Sequence, residues 1–167
     1  MTRSPSAIII AALLTMAAIA AKSQTPEAIS APGEDLIMTA HAEGAQIYEC
    51  KPDAAGRLTW QFREPVASLF VDGVTIGRHY AGPSWELSDG GLVTGKAVAR
   101  APGVTLNDIP LLKLEATVQR AAGKLARTIS VLRLNTKGGV MEGACEKPGA
   151  MTSAPYAADY AFYAKRS

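Results

Sequence analysis

The chain has 167 residues, of which 48% are hydrophobic and 19% are charged, so it is too apolar to be an intrinsically disordered segment. Its 17 lysine and arginine residues nearly balance 15 acidic residues, and this composition gives no support for a large nucleic-acid-binding surface. The 15 glycines and 10 prolines recur at intervals that are typical of turns. These numbers predict a single globular domain rich in β-structure, and they indicate no reaction.

Residues 1–20 have the pattern of a secretory signal peptide. Arg3 supplies a positive charge near the start, Ala7–Ala20 is apolar except for Thr15, and Ala18-Ile19-Ala20 matches an A-x-A cleavage site. The alternative is an N-terminal membrane anchor, but the apolar run of about 14 residues is shorter than the roughly 20 residues that span a bilayer. We therefore expect cleavage, a secreted or periplasmic protein, and no membrane span in the mature chain.

The sequence contains two cysteines, Cys50 and Cys145, and both follow the expected leader. In an oxidising compartment a lone pair of cysteines is expected to form one disulfide. The bridge would close a loop of about 95 residues and would constrain the unfolded chain. Two free thiols or a metal-binding pair are the alternative, but the sequence has neither a C-x-x-C spacing nor a histidine close to either cysteine.

After a lead-in over residues 21–33 that we expect to be flexible, residues 34–167 read as one β-rich domain. Apolar residues recur at every second position in short segments, as in strands with one buried face. The clearest segments are Gln46–Cys50, Trp60–Phe62, Leu112–Gln119, Arg127–Leu134 and Tyr156–Phe162. A helix over Leu111–Leu125 is the alternative for the third segment. The pattern predicts an all-β fold, a single-domain antiparallel β-sandwich or flattened barrel with one disulfide.

Several short motifs occur in an order that resembles a known family. They are Gly44–Cys50, Gly77–Glu86, Asp89–Gly90 with Val93–Lys96, Asn135–Gly139, Cys145 and Pro155–Tyr163. Their order and spacing resemble a family of small secreted proteins, mainly bacterial and fungal, catalogued as the domain of unknown function numbered three-four-five-five. The resemblance covers roughly Gly33 to Tyr163. It implies export, one domain and the two-cysteine pattern, and it implies no activity, cofactor or catalytic residue.

The densest group of polar and aromatic residues is His79, Tyr80, Trp85, Glu86 and Asp89, on a stretch interrupted by a Gly-Pro pair. A bend there would gather the side chains around a cleft, with His79 as a general base or ligand and Glu86 or Asp89 orienting its imidazole. Tyr80 and Trp85 would then contact a bound ligand. The alternative is that both aromatic residues pack in the core and His79 makes a structural hydrogen bond. The sequence favours this alternative, although the stretch is still the first place to look for a site.

Other kinds of site have less support. The two histidines, His41 and His79, form no H-x-H or H-x-x-x-H pair, so we predict no metal and no cofactor, unless the fold joins them with carboxylates. We expect His41 in a solvated loop. The sequence has no G-x-S-x-G motif and no phosphate-binding loop. A mildly basic stretch, which we interpret as a solvated strand face and not as a binding patch, contains Arg120, Lys124, Arg127, Arg133 and Lys137.

The last predicted strand has an aromatic face. Tyr156, Tyr160 and Phe162 lie on one side of that strand, and Tyr163 points to the other side. We expect the three-residue face to pack in the core. The alternative is a surface that stacks a ligand or docks a partner, since tyrosine is favoured at interfaces.

Together these patterns favour a non-enzymatic binding module for a small ligand, an envelope component or a protein partner. One alternative is an acid–base enzyme centred on His79 with Glu86 or Asp89, and another is a structural or adhesive envelope protein without a discrete pocket. The enzyme hypothesis requires His79 to contact a carboxylate inside a pocket that Trp85 also lines. A buried His79 that is hydrogen-bonded only to backbone would argue against it.

Overall fold

The computed structural model describes residues 25–167, so the predicted signal peptide at residues 1–20 lies outside the described residues. Short 3-10 helices occupy Glu27–Ile29 and Gly123–Arg127. The strands are β1 (Glu34–Pro52), β2 (Leu58–Val71), β3 (Val74–Tyr80), β4 (Ser84–Leu87), β5 (Leu92–Ala101), β6 (Leu111–Arg120), β7 (Thr128–Gly138) and β8 (Met151–Lys165). Over residues 25–167, no helix combines the length and the apolarity needed to cross a membrane.

The eight strands form one antiparallel sheet that closes on itself. Each strand pairs with the next along the chain, and β8 returns to pair with β1, which makes a closed barrel. Closure satisfies the backbone hydrogen-bonding groups that an open sheet leaves at its edges. The all-β antiparallel prediction is confirmed, and of the two predicted architectures the barrel is the correct one.

The strand predicted around Leu112–Gln119 is confirmed, and the helical alternative over Leu111–Leu125 is wrong. Residues Leu111–Arg120 form β6, whose side chains alternate between the barrel interior and the outside. The helical residues of this region follow the strand and form the short 3-10 helix Gly123–Arg127. That helix buries Leu125 completely against the barrel core.

Large and small side chains alternate inside the barrel and fill one part of it. Trp85, Tyr160 and Phe162 are at most 1% exposed, and their rings pack edge to face. Space for Trp85 comes from Gly95, where an added Cβ would lie 2.9 Å from the indole Cζ3. The predicted aromatic face of β8 is therefore core.

The segment expected to be a flexible lead-in carries a buried anchor. Ile29 in the first 3-10 helix is fully buried. The Lys113 ammonium group on β6 donates to the carbonyl oxygen of Ser30 at 3.0 Å and to the Glu34 carboxylate at 3.2 Å. These contacts hold the segment just before β1 against the outside of the barrel.

The predicted disulfide joins the end of β1 to the connection between β7 and β8. Cys50 and Cys145 are bonded, and their Cα atoms lie 5.9 Å apart, a normal spacing for such a bridge. Backbone hydrogen bonds surround it: the Cys50 N–H donates to Ala150 at 2.8 Å, and the Cys145 N–H donates to Leu58 at 3.2 Å. The bridge therefore fixes the long connection over residues 139–150 to the barrel end.

Replacing both cysteines, Cys50→Ser with Cys145→Ser, should lower the free energy of unfolding by about 4–5 kcal/mol, because the unfolded chain loses a cross-link that closes a long loop. Urea denaturation followed by circular dichroism measures the change. Wild-type protein unfolded with a reducing agent is the matched control and should reproduce the variant. A double variant as stable as the oxidised wild type would show that the bridge does not stabilise the barrel.

Candidate functional site

His79 and Glu86 lie on opposite faces of the β3–β4 hairpin. In this register His79 pairs with Trp85, and Arg78 pairs with Glu86. Because neighbouring residues of a strand point to opposite sides of the sheet, His79 and Trp85 face the barrel interior while Arg78 and Glu86 face outward. The register of the hairpin therefore separates the two groups that the enzyme hypothesis needs together.

His79 is held inside the barrel by neutral partners. His79 is only 2% exposed. Its ring stacks on the Trp85 ring with centroids 4.8 Å apart, and the centroid of the Tyr160 ring lies 4.7 Å from it. Nδ1 lies 2.8 Å from the Ser84 carbonyl oxygen, which can only accept, so Nδ1 carries the proton and Nε2 is the free acceptor.

Burial lowers the pKa of His79 to about 4, and the charge of Arg133 acts in the same direction, while the hydrogen bond to Ser84 opposes them. The imidazole is therefore neutral at pH 7 and is a weak base. Among the residues that the structure describes, no carboxylate is hydrogen-bonded to His79. The structure thus shows a buried histidine whose hydrogen bond goes to backbone.

The two carboxylates proposed to orient His79 have other partners. Arg120 and Arg78 hydrogen-bond to Glu86, with the Arg78 contacts at 2.9 and 2.7 Å, and they lower the pKa of Glu86 to about 2. The Tyr80 hydroxyl also donates to Glu86, at 3.2 Å. Asp89 accepts from the backbone N–H groups of Gly91 at 3.0 Å and Lys124 at 2.9 Å. Glu86 thus belongs to an ion-pair network on the outer surface, and Asp89 fixes a turn.

A cavity of about 720 Å³ occupies the part of the barrel that side chains leave unfilled. Its lining combines buried and exposed residues: Gln46, Tyr48, Phe62, Arg63, Pro65, His79, Gly82, Pro83, Ala97, Arg100, Ile109, Pro110, Leu112, Leu114, Arg133, Val140, Met141 and Glu142. His79 contributes to this wall. The two predicted ligand-contacting residues do not, since Trp85 is buried in the core and Tyr80 bonds to Glu86 outside.

The floor of the cavity is polar in a few places. Gln46 is 2% exposed, and its amide Nε2 has no hydrogen-bond partner within residues 25–167. Tyr48 is also buried, and its hydroxyl donates to the Gly139 carbonyl oxygen at 2.7 Å. Ile109 and Leu114 supply buried apolar wall on the same cavity. The floor thus offers one unsatisfied amide in largely apolar surroundings.

Arg133 projects into the barrel between these groups. It pairs with Leu112 of β6 and with Tyr160 of β8, and its Nε donates to the Pro110 carbonyl oxygen at 2.9 Å. Its positive charge lowers the pKa values of Tyr48, Tyr156 and Tyr160, although burial raises all three overall. Arg133 forms no ion pair with a carboxylate in the part of the chain that the structure describes.

The rim is exposed and carries more positive than negative charge. Arg63 and Arg100 lie on it, with Glu142 as its one acidic lining residue. Arg63 is the extra residue where the β1–β2 register shifts, and it pairs with Glu64 at 3.1 Å. Phe62 is 54% exposed and meets Tyr48 edge to face at 5.9 Å. Glu142 belongs to the connection that the disulfide fixes, so the bridge also shapes the rim.

The interpretation of the basic stretch missed Arg133. That residue follows Val131 by two positions, so the alternation of β7 places it on the same inward face as a fully buried valine. The neighbouring residues Ser130 and Leu132 are buried as well, so alternation along β7 did not by itself single out Arg133. Gln46 carried a clearer signal, since it alternates with Tyr48 and Cys50, which are both buried.

His41 lies on the outside of the barrel, on β1 and not in a loop as expected. Its Nδ1 lies 2.8 Å from an Asp159 oxygen, its Nε2 lies 3.4 Å from Glu43, and both carboxylates raise its pKa, the hydrogen bond to Asp159 most of all. It therefore does not meet His79. Over residues 25–167, no three histidine, cysteine or acidic side chains converge in a way that would hold a metal ion.

Comparison with known proteins assigns the chain to a family, but the description of that family names no function. The family model described as "Protein of unknown function (DUF3455)" matches residues 31–75 and 71–164, which confirms the resemblance seen in the motifs. No curated protein and no solved structure matches the chain.

The buried neutral state of His79 predicts a loss of stability in mild acid. Between pH 6.5 and about 4 the unfolded chain binds a proton at this imidazole and the folded chain does not. The free energy of unfolding should therefore fall by about 3 kcal/mol from this group as the pH drops from 7 to 4, and no further below that.

Urea denaturation of wild type and His79→Gln at several pH values isolates this contribution, because the variant lacks the titrating group. His41→Gln is the control: the raised pKa of His41 stabilises the folded protein at low pH and this contribution is lost as the pH rises. Identical pH dependence in wild type and His79→Gln would contradict the buried neutral assignment.

Proposed function

We propose that this chain, which belongs to the family of unknown function DUF3455, is a binding protein that holds a small molecule in the open part of its barrel. The observation that carries the proposal is the cavity of about 720 Å³ inside a closed sheet. Ligand pockets in proteins span about 300–1,000 Å³, and eight-stranded barrels are wide enough to enclose one small ligand.

The chemistry of the wall supports binding. Apolar residues such as Ile109, Leu112 and Leu114 line most of the interior, and a few polar groups interrupt them. This combination is typical of sites in which apolar contact gives affinity and a few polar groups fix orientation. The closed sheet and the disulfide fix the wall before a ligand arrives, which lowers the entropy cost of binding.

The geometry gives less support to the acid–base enzyme. The His79 imidazole has a low pKa and no carboxylate partner within residues 25–167, while Glu86 and Asp89 are engaged elsewhere. The Ser84 hydroxyl next to it donates to the Ala81 carbonyl oxygen at 2.7 Å and is not positioned as a nucleophile. A binding role needs none of these groups to transfer a proton.

The binding proposal includes export to a secreted or periplasmic location. The disulfide supports it, since such bridges persist in oxidising compartments. Cell fractionation with mass spectrometry tests this point. Export predicts a protein shortened by the leader in the periplasm or the medium, and a full-length protein confined to the cytoplasm would contradict it.

A neutral fluorescent probe tests the binding proposal. Phenylnaphthylamine should bind the protein with one site per chain and gain fluorescence in the apolar cavity. Ala97→Trp places an indole at the cavity wall and should weaken binding by about tenfold or more, equal to about 1.4 kcal/mol.

Val98→Trp is the matched control, because the neighbouring residue is 47% exposed and does not line the cavity. It should bind the probe like wild type. The proposal would be overturned if both tryptophan variants bound the probe equally. It would also be overturned if wild type bound neither this probe nor a charged probe with the same aromatic body.

A further inference from the structure

We infer that the ligand of this cavity is an organic anion, an apolar body that carries one oxyanion group such as a carboxylate or sulfonate, with Arg133 as its counter-ion. This inference rests on the binding function proposed above and makes it chemically specific.

The first argument is the position of Arg133. It is partly buried between β6 and β8, and one of its five N–H groups is used by the Pro110 carbonyl oxygen at 2.9 Å. Its neighbours in the barrel are neutral: Tyr160 pairs with it between β7 and β8, and His79 lines the same cavity. A cation held in apolar surroundings is costly unless an anion accompanies it, and residues 25–167 supply no carboxylate partner.

The second argument is that the other titratable groups facing the cavity do not provide the missing charge. The phenol of Tyr48, which lines the cavity, and the phenols of Tyr156 and Tyr160 in the adjoining core have raised pKa values and stay protonated at neutral pH. On the rim, Arg100 has no ion pair in the described part of the chain, whereas Arg63 is paired with Glu64. Glu142 is the acidic lining residue, and it is exposed on the rim. The residues that line the cavity therefore include three arginines and one carboxylate, Glu142.

The third argument is the unpartnered amide of Gln46. The residue is more than nine-tenths buried and lines the same cavity, and its Nε2 is buried without an acceptor within the described residues. A turn of the terminal amide exchanges its oxygen and nitrogen and brings the donor to the cavity side. Gln46 and Arg133 line this one cavity, and an oxyanion accepts hydrogen bonds from an amide as well as from a guanidinium. The apolar wall formed by Ile109 and Leu114 then takes the body of the same molecule.

Two probes with the same aromatic body test the inference. Phenylnaphthylamine is neutral, and anilinonaphthalene sulfonate adds one negative charge to that body. Wild type should bind the sulfonate about tenfold or more tightly than the neutral probe, because hydrogen bonds to a charged group are stronger. Arg133→Gln should weaken sulfonate binding about tenfold more than it changes binding of the neutral probe, whereas Arg133→Lys should retain part of the preference.

Arg127→Gln is the matched control. It removes the same charge from an exposed residue that does not line the cavity, and it should leave both affinities unchanged. Circular dichroism checks that each variant folds. If Arg133→Gln does not fold, Arg133→Lys tests the role of this residue: a preference for the sulfonate unchanged from wild type would count against Arg133 as the counter-ion.

The outcomes separate the two proposals. Equal binding of both probes by wild type overturns the anion inference and leaves the binding function standing. The same holds if the preference for the sulfonate survives in Arg133→Gln. Failure of wild type to bind either probe overturns the binding function and the anion inference with it.

Discussion

The pairing of β1 with β8 closes the sheet, and the positions of the other functional groups depend on it. β1 is long, Glu34–Pro52, and it hydrogen-bonds to β2 along one edge and to β8 along the other. Closure points every inward-facing side chain towards one central space. The sizes of those side chains decide which part of that space is filled and which part stays open. The disulfide at Cys50 lies at the end of this same strand, so the covalent link and the closing strand meet at one end of the barrel.

That interior is divided between a packed region and an open one. Trp85 and Phe162 fill the packed region, with small residues such as Gly95 opposite them. Around Gln46 and Arg133 the lining does not close the space, and the cavity remains. Close packing is the norm in protein interiors, so a cavity of this size that holds a charge and an unsatisfied amide is a feature to be explained by function.

Much of the fold could be predicted from the sequence, because strand alternation records which face is buried. The alternation in Leu112–Gln119 and Tyr156–Phe162 gave the correct strands and the correct inner face of β8. The disulfide followed from compartment chemistry. Strand alternation could not predict that the sheet closes into a barrel, because closure depends on pairing between residues that are far apart in the chain.

The candidate site was harder to predict for a physical reason. His79 and Glu86 are close in sequence, and it was the hairpin register that placed them on opposite faces of the sheet. Arg133 lies in a basic stretch that has the composition of a solvated face, and residues of both phases beside it, Val131 and Leu132, are buried. Its place in the cavity therefore depends on the closed sheet and could not be predicted from the alternation of β7 alone.

A crystal structure of the protein with anilinonaphthalene sulfonate bound tests the central claim most directly. The account predicts the aromatic body inside the barrel against Ile109 and Leu114, with a sulfonate oxygen about 2.7–2.9 Å from the Arg133 guanidinium. A probe bound on the outer surface, or one lying in the cavity with its sulfonate turned away from Arg133 towards solvent, would contradict it.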